Sequence, residues 1–179
     1  MRRFVWARRG KTPPHYELLF NDGVLGSLAW VQGSRTTAVA EMAGGVMVFR
    51  RKGLLHRHFV IENLREEAVA SISLFARGNS GELQHPSGAT YAFGFDEALE
   101  WSDEQGRILA RVGESDLGGG FVTEESTLGQ PLPLLLAFAG WYLYRAHAAE
   151  QATGRPFDVS NLLSIAGTEV ARLPFKKMT

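Results

Sequence analysis

Short segments of alternating apolar and polar residues fill roughly the first 125 positions of the chain. Glycine, asparagine, aspartate, serine or proline separates one segment from the next. Alternation with a period of two is typical of strands that bury one face, and turns such as Asn21-Asp22-Gly23 indicate antiparallel hairpins. Two adjacent prolines predict an extended loop over Arg8–Pro14. The predicted strands are Phe4–Ala7, Tyr16–Phe20, Val24–Val31, Thr36–Met42, Val46–Arg51, Leu55–Glu62, Ala68–Phe75, Glu82–Gln84, Thr90–Phe95, Ala98–Trp101, Arg107–Val112 and Phe121–Glu125.

A different pattern follows at Pro131–Glu150, whose sequence is PLPLLLAFAGWYLYRAHAAE. From Leu134 the residues are good helix formers, and the two prolines suit a first helical turn, where the N–H groups lack partners in any case. Gly154 and Pro156 are typical of a helix end. Apolar side chains occur around the whole circumference of this helix, so other parts of the chain have to cover it on every side.

The strands and the single apolar helix together predict the fold. A two-layer sandwich would bury one face of the helix, whereas a closed barrel would bury all of it and would leave no sheet edge. Eight strands leave room only for side chains, but an eleven-stranded barrel holds a central helix about 10 Å across. We therefore predict a mainly β protein, a closed antiparallel barrel of about twelve strands around this helix. The fold requires Leu135, Phe138 and Trp141 to be nearly inaccessible, and Leu136 and Leu143 on the opposite side as well.

A length of 179 residues suits one domain with a sizeable core. We assign residues 1–150 to the barrel with its central helix, and residues 151–179 to a C-terminal tail. Asp158 is positioned to cap a short helix over Val159–Ala166. Because the tail is too apolar for a solvated linker, we expect it to pack on the barrel or on a partner.

Cysteine is absent from the chain. Its absence excludes a disulfide framework, a cysteine-based zinc site and a cysteine nucleophile, and it fits a cytoplasmic protein. The basic N-terminus MRRFVWARRGK is not followed by the apolar stretch of a signal peptide. As a helix, Leu132–Tyr144 would cover roughly 20 Å against a hydrocarbon core of about 30 Å, so we expect no transmembrane span.

Charge is unevenly distributed although its total is zero. Residues 1–60 carry ten Lys or Arg against three Asp or Glu, a net charge of +7. Residues 61–179 carry nine against sixteen, a net charge of −7. A neutral total argues against a dedicated nucleic-acid-binding protein, while the basic first part remains a candidate surface for anions.

The densest basic feature is the stretch RRKGLLHRH, from Arg50 to His58. On two paired strands alternate residues share a face, so Arg50, Arg51, Lys52 and Arg57 are candidates to bind an anionic ligand such as a phosphate group. The alternative is a solvated hairpin with ordinary basic residues on its outer face.

Metal and catalytic sites find little support in the sequence. His56 and His58 share a strand face, but nothing places a third ligand, such as His15, His85 or a carboxylate, beside them. The sequence contains no Gly-x-Ser-x-Gly elbow, no phosphate-binding glycine loop, no His-Glu-x-x-His and no calcium loop. Acidic residues cluster at predicted turns, and a barrel filled by a helix lacks the usual ligand cavity. We therefore expect no cofactor and no metal site, and an enzyme is the least favoured of the function classes.

The order of many short antiparallel strands before an apolar helix resembles the tubby-like superfamily, which includes tubby C-terminal domains, phospholipid scramblases and plant LURP-one-related proteins. The residues that carry the resemblance are Tyr16-Glu17-Leu18, the basic Phe49-Arg50-Arg51-Lys52-Gly53, and Pro133-Leu134-Leu135-Leu136 running to Trp141-Tyr142-Leu143. The resemblance covers residues 1–148. It implies a twelve-stranded barrel threaded by a central helix, contact of some members with anionic phospholipids, and bacterial-type members without an assigned activity. A tail after the helix departs from the family pattern.

Two classes of function remain. The first is a non-enzymatic module that binds anionic phospholipid headgroups at a membrane surface through its basic part, which would make a cytoplasmic protein peripheral to the membrane. The second is a protein-interaction or self-assembling module that uses the apolar tail to bind a protein partner or a second copy.

Overall fold

Twelve strands and one helix make up the described part of a computed structural model of the chain, which covers residues 2–21, 23–34, 36–52, 58–75, 79–115, 119–124 and 134–153. The strands are β1 (Arg2–Lys11), β2 (Pro14–Phe20), β3 (Gly23–Trp30), β4 (Thr37–Met42), β5 (Gly45–Lys52), β6 (His58–Asn63), β7 (Ala68–Leu74), β8 (Ser80–Gln84), β9 (Thr90–Phe95), β10 (Leu99–Ser102), β11 (Ile108–Glu114) and β12 (Gly120–Glu124), and the helix is α1 (Leu134–Thr153).

The strands form one closed barrel in chain order. Each strand pairs antiparallel with the next along the chain, and β1 pairs with β12, where Phe4 lies opposite Val122. Short connections produce this order because a tight turn can only return the chain beside the strand it has just left. The predicted closed antiparallel barrel of about twelve strands is confirmed.

Helix α1 lies inside the barrel, and the inward side chains of the strands cover it. Phe138 and Trp141 are fully buried. On the opposite side of the helix, Leu136 is fully buried and Leu143 is only 2% exposed. A helix whose apolar residues point in all directions gains the full benefit of burial only when a closed wall surrounds it. Leu135 is only partly buried, contrary to the expectation, because it lies in the first turn of the helix at the end of the barrel.

Aromatic rings fill the space between the helix and one side of the wall. The ring of Trp6 on β1 meets Phe138 edge to face at 5.0 Å and lies parallel to Trp141 at 5.8 Å. Tyr142 is stacked on Trp30 and contacts Phe49 at 5.2 Å. Offset-stacked and edge-to-face rings are the favourable arrangements, so these contacts fix the rotation of α1 about its axis.

The opposite side of the helix approaches the wall much more closely. At Gly140, a Cβ atom would lie 2.7 Å from Nε1 of Trp101 on β10 and 2.8 Å from Cγ2 of Val112 on β11. Real Cβ atoms almost never show such contacts, so only glycine fits at this point of the helix. Glycine here serves close packing rather than chain flexibility.

Several boundaries differ from the predicted ones. Strand β1 runs on to Lys11, where a loop was predicted, because the strand keeps its pairing with β2 across a bulge between Arg8 and Gly10. The helix ends at Thr153, three residues beyond Glu150, and positions 131–133 lie outside the described residues. The tail assigned to residues 151–179, with the predicted helix Val159–Ala166, lies outside the described residues from position 154 onward.

No helix within the described ranges combines the length and the apolar character needed to cross a bilayer.

The close approach at Gly140 predicts the sign of a substitution. Alanine is preferred over glycine in an open helix by about 1 kcal/mol, but overpacking a tight core costs about 1–3 kcal/mol. We expect Gly140→Ala to lower the free energy of unfolding, measured by urea denaturation, by up to about 2 kcal/mol. The matched control is Gly94→Ala, where the added Cβ meets nothing within 4 Å, and it should leave stability unchanged or higher. A Gly140→Ala protein more stable than wild type would contradict the packing described.

Candidate functional site

Polar and charged residues surround α1 where it leaves the barrel. We call this end the exit rim; the odd-numbered strands end there and the even-numbered strands begin there. Arg145 of the helix contacts Tyr16 near the start of β2, and Glu150 contacts Arg51 near the end of β5. These contacts place the C-terminal half of α1 at the exit rim.

Arg51 and Glu150 form a largely buried ion pair at the exit rim. Nη1 of Arg51 lies 3.1 Å from Oε1 of Glu150, and the Arg51 side chain is only 8% exposed. Arg51 points inward because it shares a strand face with the core residue Phe49. Its guanidinium also lies 5.2 Å from the centre of the Phe59 ring. Arg51 is therefore part of the interior rather than of an outer basic patch.

Burial changes the acid–base properties of both partners. Desolvation lowers the pKa of Arg51 to about 10, against the opposing effect of the Glu150 carboxylate. Desolvation also raises the pKa of Glu150 to about 6, with the Arg51 charge and hydrogen bond acting in the other direction. For both groups the cost of leaving water exceeds the gain from pairing, as is common for buried ion pairs.

A second ion pair holds the helix from the opposite side of the barrel. Nη1 of Arg145 donates to Oε1 of Glu114 at 2.9 Å, and its guanidinium lies 5.8 Å from the ring centres of Tyr16 and Trp141. Glu114 ends β11 and Arg51 lies on β5, six strands apart in a barrel of twelve. The two ion pairs therefore hold α1 at opposite points of the rim. In one pair the wall supplies the cation, Arg51, and in the other the wall supplies the anion, Glu114.

Tyr142 provides a third attachment at this end. Its hydroxyl donates to the carbonyl oxygen of Thr36, between β3 and β4, at 2.6 Å. Burial raises the pKa of Tyr142 well above its usual value. The hydroxyl therefore stays protonated and acts as a hydrogen-bond donor, which satisfies the one polar atom that this core side chain carries.

A shallow notch opens beside the helix at the exit rim. Its volume of about 10 Å³ has room for about one water molecule. The lining residues are Phe59, Leu74, Phe95, Leu143, Ala146, His147 and Glu150. We call this the exit notch. The imidazole of His147 stacks on the Phe95 ring at 4.2 Å, and burial lowers the pKa of His147. Apart from the two polar residues of the helix, the notch is apolar.

The predicted anion-binding residues divide between two places. Arg50 and Lys52 lie together on the outer face, with side chains 43% and 49% exposed, whereas Arg51 points inward. Arg57 and His56 lie outside the described residues. Of the four residues predicted to bind an anion, the structure thus brings two together on one outer surface, which we call the outer basic face.

Glu62 of β6 lies beneath the outer basic face. Its side chain is only 7% exposed and pairs with Lys52, and its Oε2 lies 3.5 Å from Nη1 of Arg50. The hydrogen bond from Lys52 lowers the pKa of Glu62, so the carboxylate stays ionised. The two cations compensate one buried negative charge while their own exposed surface faces solvent.

Because the strands follow one another around the barrel in chain order, the uneven charge along the sequence becomes a difference in charge between two sides of the barrel. Strands β1 to β6 are consecutive around the barrel, as are β7 to β12. Strands β1 to β6 carry eight Lys or Arg against three Asp or Glu, whereas β7 to β12 carry one against four, so the strands of one side of the barrel are basic and those of the other side are acidic. The outer basic face belongs to the basic side.

Two of the candidate metal ligands, His58 and His85, are separated in space. His58 contacts Ser73 on the outer face, and His85 bonds to Ser87 in the turn after β8. Across the described ranges, no three His, Asp or Glu side chains come close enough together to hold a metal ion.

Sequence reasoning missed the acidic partners of the basic stretch. Glu62 lies on β6, the strand paired with β5. Alternation along the two strands places it on the same face as Arg50 and Lys52, so the sequence pattern could have identified it as their partner. Glu150 is 99 positions from Arg51, and no local pattern indicates their contact.

Comparisons with protein-family models, with curated proteins and with solved structures gave no match for this chain.

The raised pKa of Glu150 predicts a pH dependence of stability. Because the folded state holds this proton more tightly than the unfolded state does, the contribution of Glu150 is most favourable below pH 4.5 and is lost as the pH rises to about 6. We expect the unfolding free energy of wild type minus that of Glu150→Gln to fall across this window in chemical denaturation. A difference that stays constant or rises with pH would contradict the desolvated carboxylate.

Proposed function

We propose that this chain is a non-enzymatic binding module that attaches to anionic phospholipid headgroups through its outer basic face. The observation that carries the proposal is the position of Arg50 and Lys52, which stand side by side and about half exposed on the outside of a barrel. Guanidinium and ammonium groups are the usual protein partners of phosphate.

The filled interior supports a function on the outer surface. Helix α1 occupies the barrel, and its side chains from Leu136 to Leu143 are buried against the wall. A lipid-carrying barrel needs an empty lumen, whereas a headgroup-binding module needs only an accessible charged face. The arrangement of the described residues favours the second kind of binding.

Glu62 sets the strength of the outer basic face. Each cation keeps donors that the single buried carboxylate does not use, because an ammonium has three and a guanidinium five. The exposed atoms are thus positive, while the net charge of the three groups is only +1. We expect weak, salt-sensitive binding that needs several contacts, and the basic side of the barrel supplies further attraction to an anionic surface.

Arg51 is not among the residues proposed to bind a headgroup. Its side chain pairs with Glu150 inside the rim, and its loss would disturb the helix. Arg57 stays a sequence-based candidate. The resemblance to the tubby-like superfamily agrees with the barrel and with lipid contact, and membership in that superfamily is part of the proposal.

Flotation with lipid vesicles tests the outer basic face. We expect the 179-residue chain to float with phosphatidylserine-containing vesicles and to stay at the bottom with phosphatidylcholine alone. Arg50→Gln with Lys52→Gln should reduce the floating fraction several-fold, because about 1 kcal/mol of attraction is lost per basic residue near the surface. The reverse change is Glu62→Gln, which should increase the floating fraction because both cations are released.

A matched control variant exists on the other side of the barrel. Arg107 and Arg111 are 52% and 45% exposed and pair with Asp103 and Glu100, so Arg107→Gln with Arg111→Gln removes the same charge. This control should float like wild type. Equal loss in both double variants would show attraction by total charge only, and no loss in either would eliminate the outer basic face as the lipid site.

A further inference from the structure

A histidine adjoins the outer basic face. His58 begins β6 directly opposite Lys52 of β5, and its side chain is exposed. Residues two apart share one side of a strand, so His58 lies on the same side of β6 as Val60, which is opposite Arg50. Directly opposite residues of an antiparallel pair have Cα atoms about 4.5–5.5 Å apart. The imidazole therefore lies next to the two cations of the outer basic face.

The charged neighbours of His58 on β5 are both cations. Lys52 lies opposite it, and Arg50 precedes Lys52 by two residues on the same outer face. Glu62, on the same strand as His58, is the shared counter-ion of these two cations and is only 7% exposed. Two cations and one carboxylate give a net charge of +1, so a proton on His58 raises the charge of this face to +2.

Strand β7, on the other side of His58, contributes a hydroxyl instead of a charge. Oγ of Ser73 lies 3.5 Å from Nδ1 of His58, at the outer limit of a hydrogen bond. A hydroxyl can donate to a neutral imidazole nitrogen or accept from a protonated one, so this contact is compatible with both charge states. Glu82 of β8 lies opposite Ser73 and is thus two strands from His58, about 10 Å, where salt screens most of the attraction.

Proton uptake at such a position is coupled to the binding of an anion. Imidazole is the side chain whose charge ordinarily changes between pH 5 and 8. Adjacent cations repel each other, whereas a phosphate that lies among them is attracted to all of them. A proton on His58 therefore favours the anion, and the anion favours the proton by the same factor.

We propose that His58 is a pH-dependent third cation of the outer basic face, so that this face binds an anionic phospholipid surface more tightly at acidic than at neutral pH. The inference rests on the proposed lipid binding and adds a regulation of that site. One basic residue near an anionic surface changes binding about fivefold, and this is the contribution expected of His58 when the pH falls from about 7.5 to about 5.5.

Flotation with phosphatidylglycerol vesicles at these two pH values tests the proposal. The phosphodiester of this lipid keeps its charge over the whole range, and vesicles of phosphatidylcholine alone measure binding that does not depend on lipid charge. We expect the partition coefficient of the 179-residue chain to rise on acidification by a factor about five times larger than that of His58→Gln. Glu150, with a pKa of about 6, also gains a proton in this range, but it does so in both proteins, so its effect cancels.

Two further variants make the result specific. His58→Lys carries a permanent charge, so it should bind about fivefold more tightly than His58→Gln at about pH 7.5 and respond to pH no more than His58→Gln does. His85→Gln is the matched control in the turn after β8, at the end of the barrel away from the exit rim, and it should keep the wild-type response. Equal urea midpoints would show that all variants stay folded.

The outcomes separate this inference from the lipid-binding proposal. Flotation that requires Arg50 and Lys52 but keeps its full pH response in His58→Gln would overturn the role of His58 and leave the lipid site in place. Equal loss of the response in His58→Gln and His85→Gln would indicate total charge and would also overturn it. Absence of flotation with anionic vesicles at both pH values would overturn both proposals.

Discussion

The burial of α1 on all sides is the constraint on which the other features of this protein depend. A helix with apolar residues around its whole circumference is stable in water only inside a closed wall, and twelve strands give a barrel of suitable width. The wall needs large rings on one side, such as Trp6 beside Phe138, and a glycine where Trp101 comes close on the other. Because the helix fills the interior, binding has to take place at the outer surface or at the rim.

The polar residues at the exit rim follow from a difference in length. An eight-residue strand such as β5, tilted by about 40°, spans roughly 20 Å along the barrel axis, whereas the 20 residues of α1 span about 30 Å. The last turns of the helix therefore leave the apolar interior and carry Arg145, His147 and Glu150. Glu114 and Arg51 on the wall meet two of them with opposite charge.

Much of the barrel could be predicted from the sequence, because strand alternation, turn residues and an apolar helix are local signals. The predicted Thr90–Phe95 matches β9 completely, and most other strands differ by one to three residues. Local signals fail where strand pairing determines how far a strand extends. Strand β1 continues through a predicted loop because β2 supplies its hydrogen-bond partners.

The candidate site was predictable only in part, for a related reason. Strand alternation places Arg50 and Lys52 on one face and Arg51 on the other, but it does not show which face is inside. That choice depends on Phe49, which belongs to the core, and on Glu150, which reaches Arg51 only after the barrel has closed around the helix.

Native-state hydrogen exchange tests the central claim most directly. If the wall encloses α1, the amides from Leu136 to Leu143 cannot reach solvent while the strands stay paired. Their opening free energy, measured at low denaturant concentration, should then equal that of the most protected strand amides and of global unfolding. Exchange of these helix amides through a partial opening, with the strands still protected, would contradict a helix enclosed by the barrel.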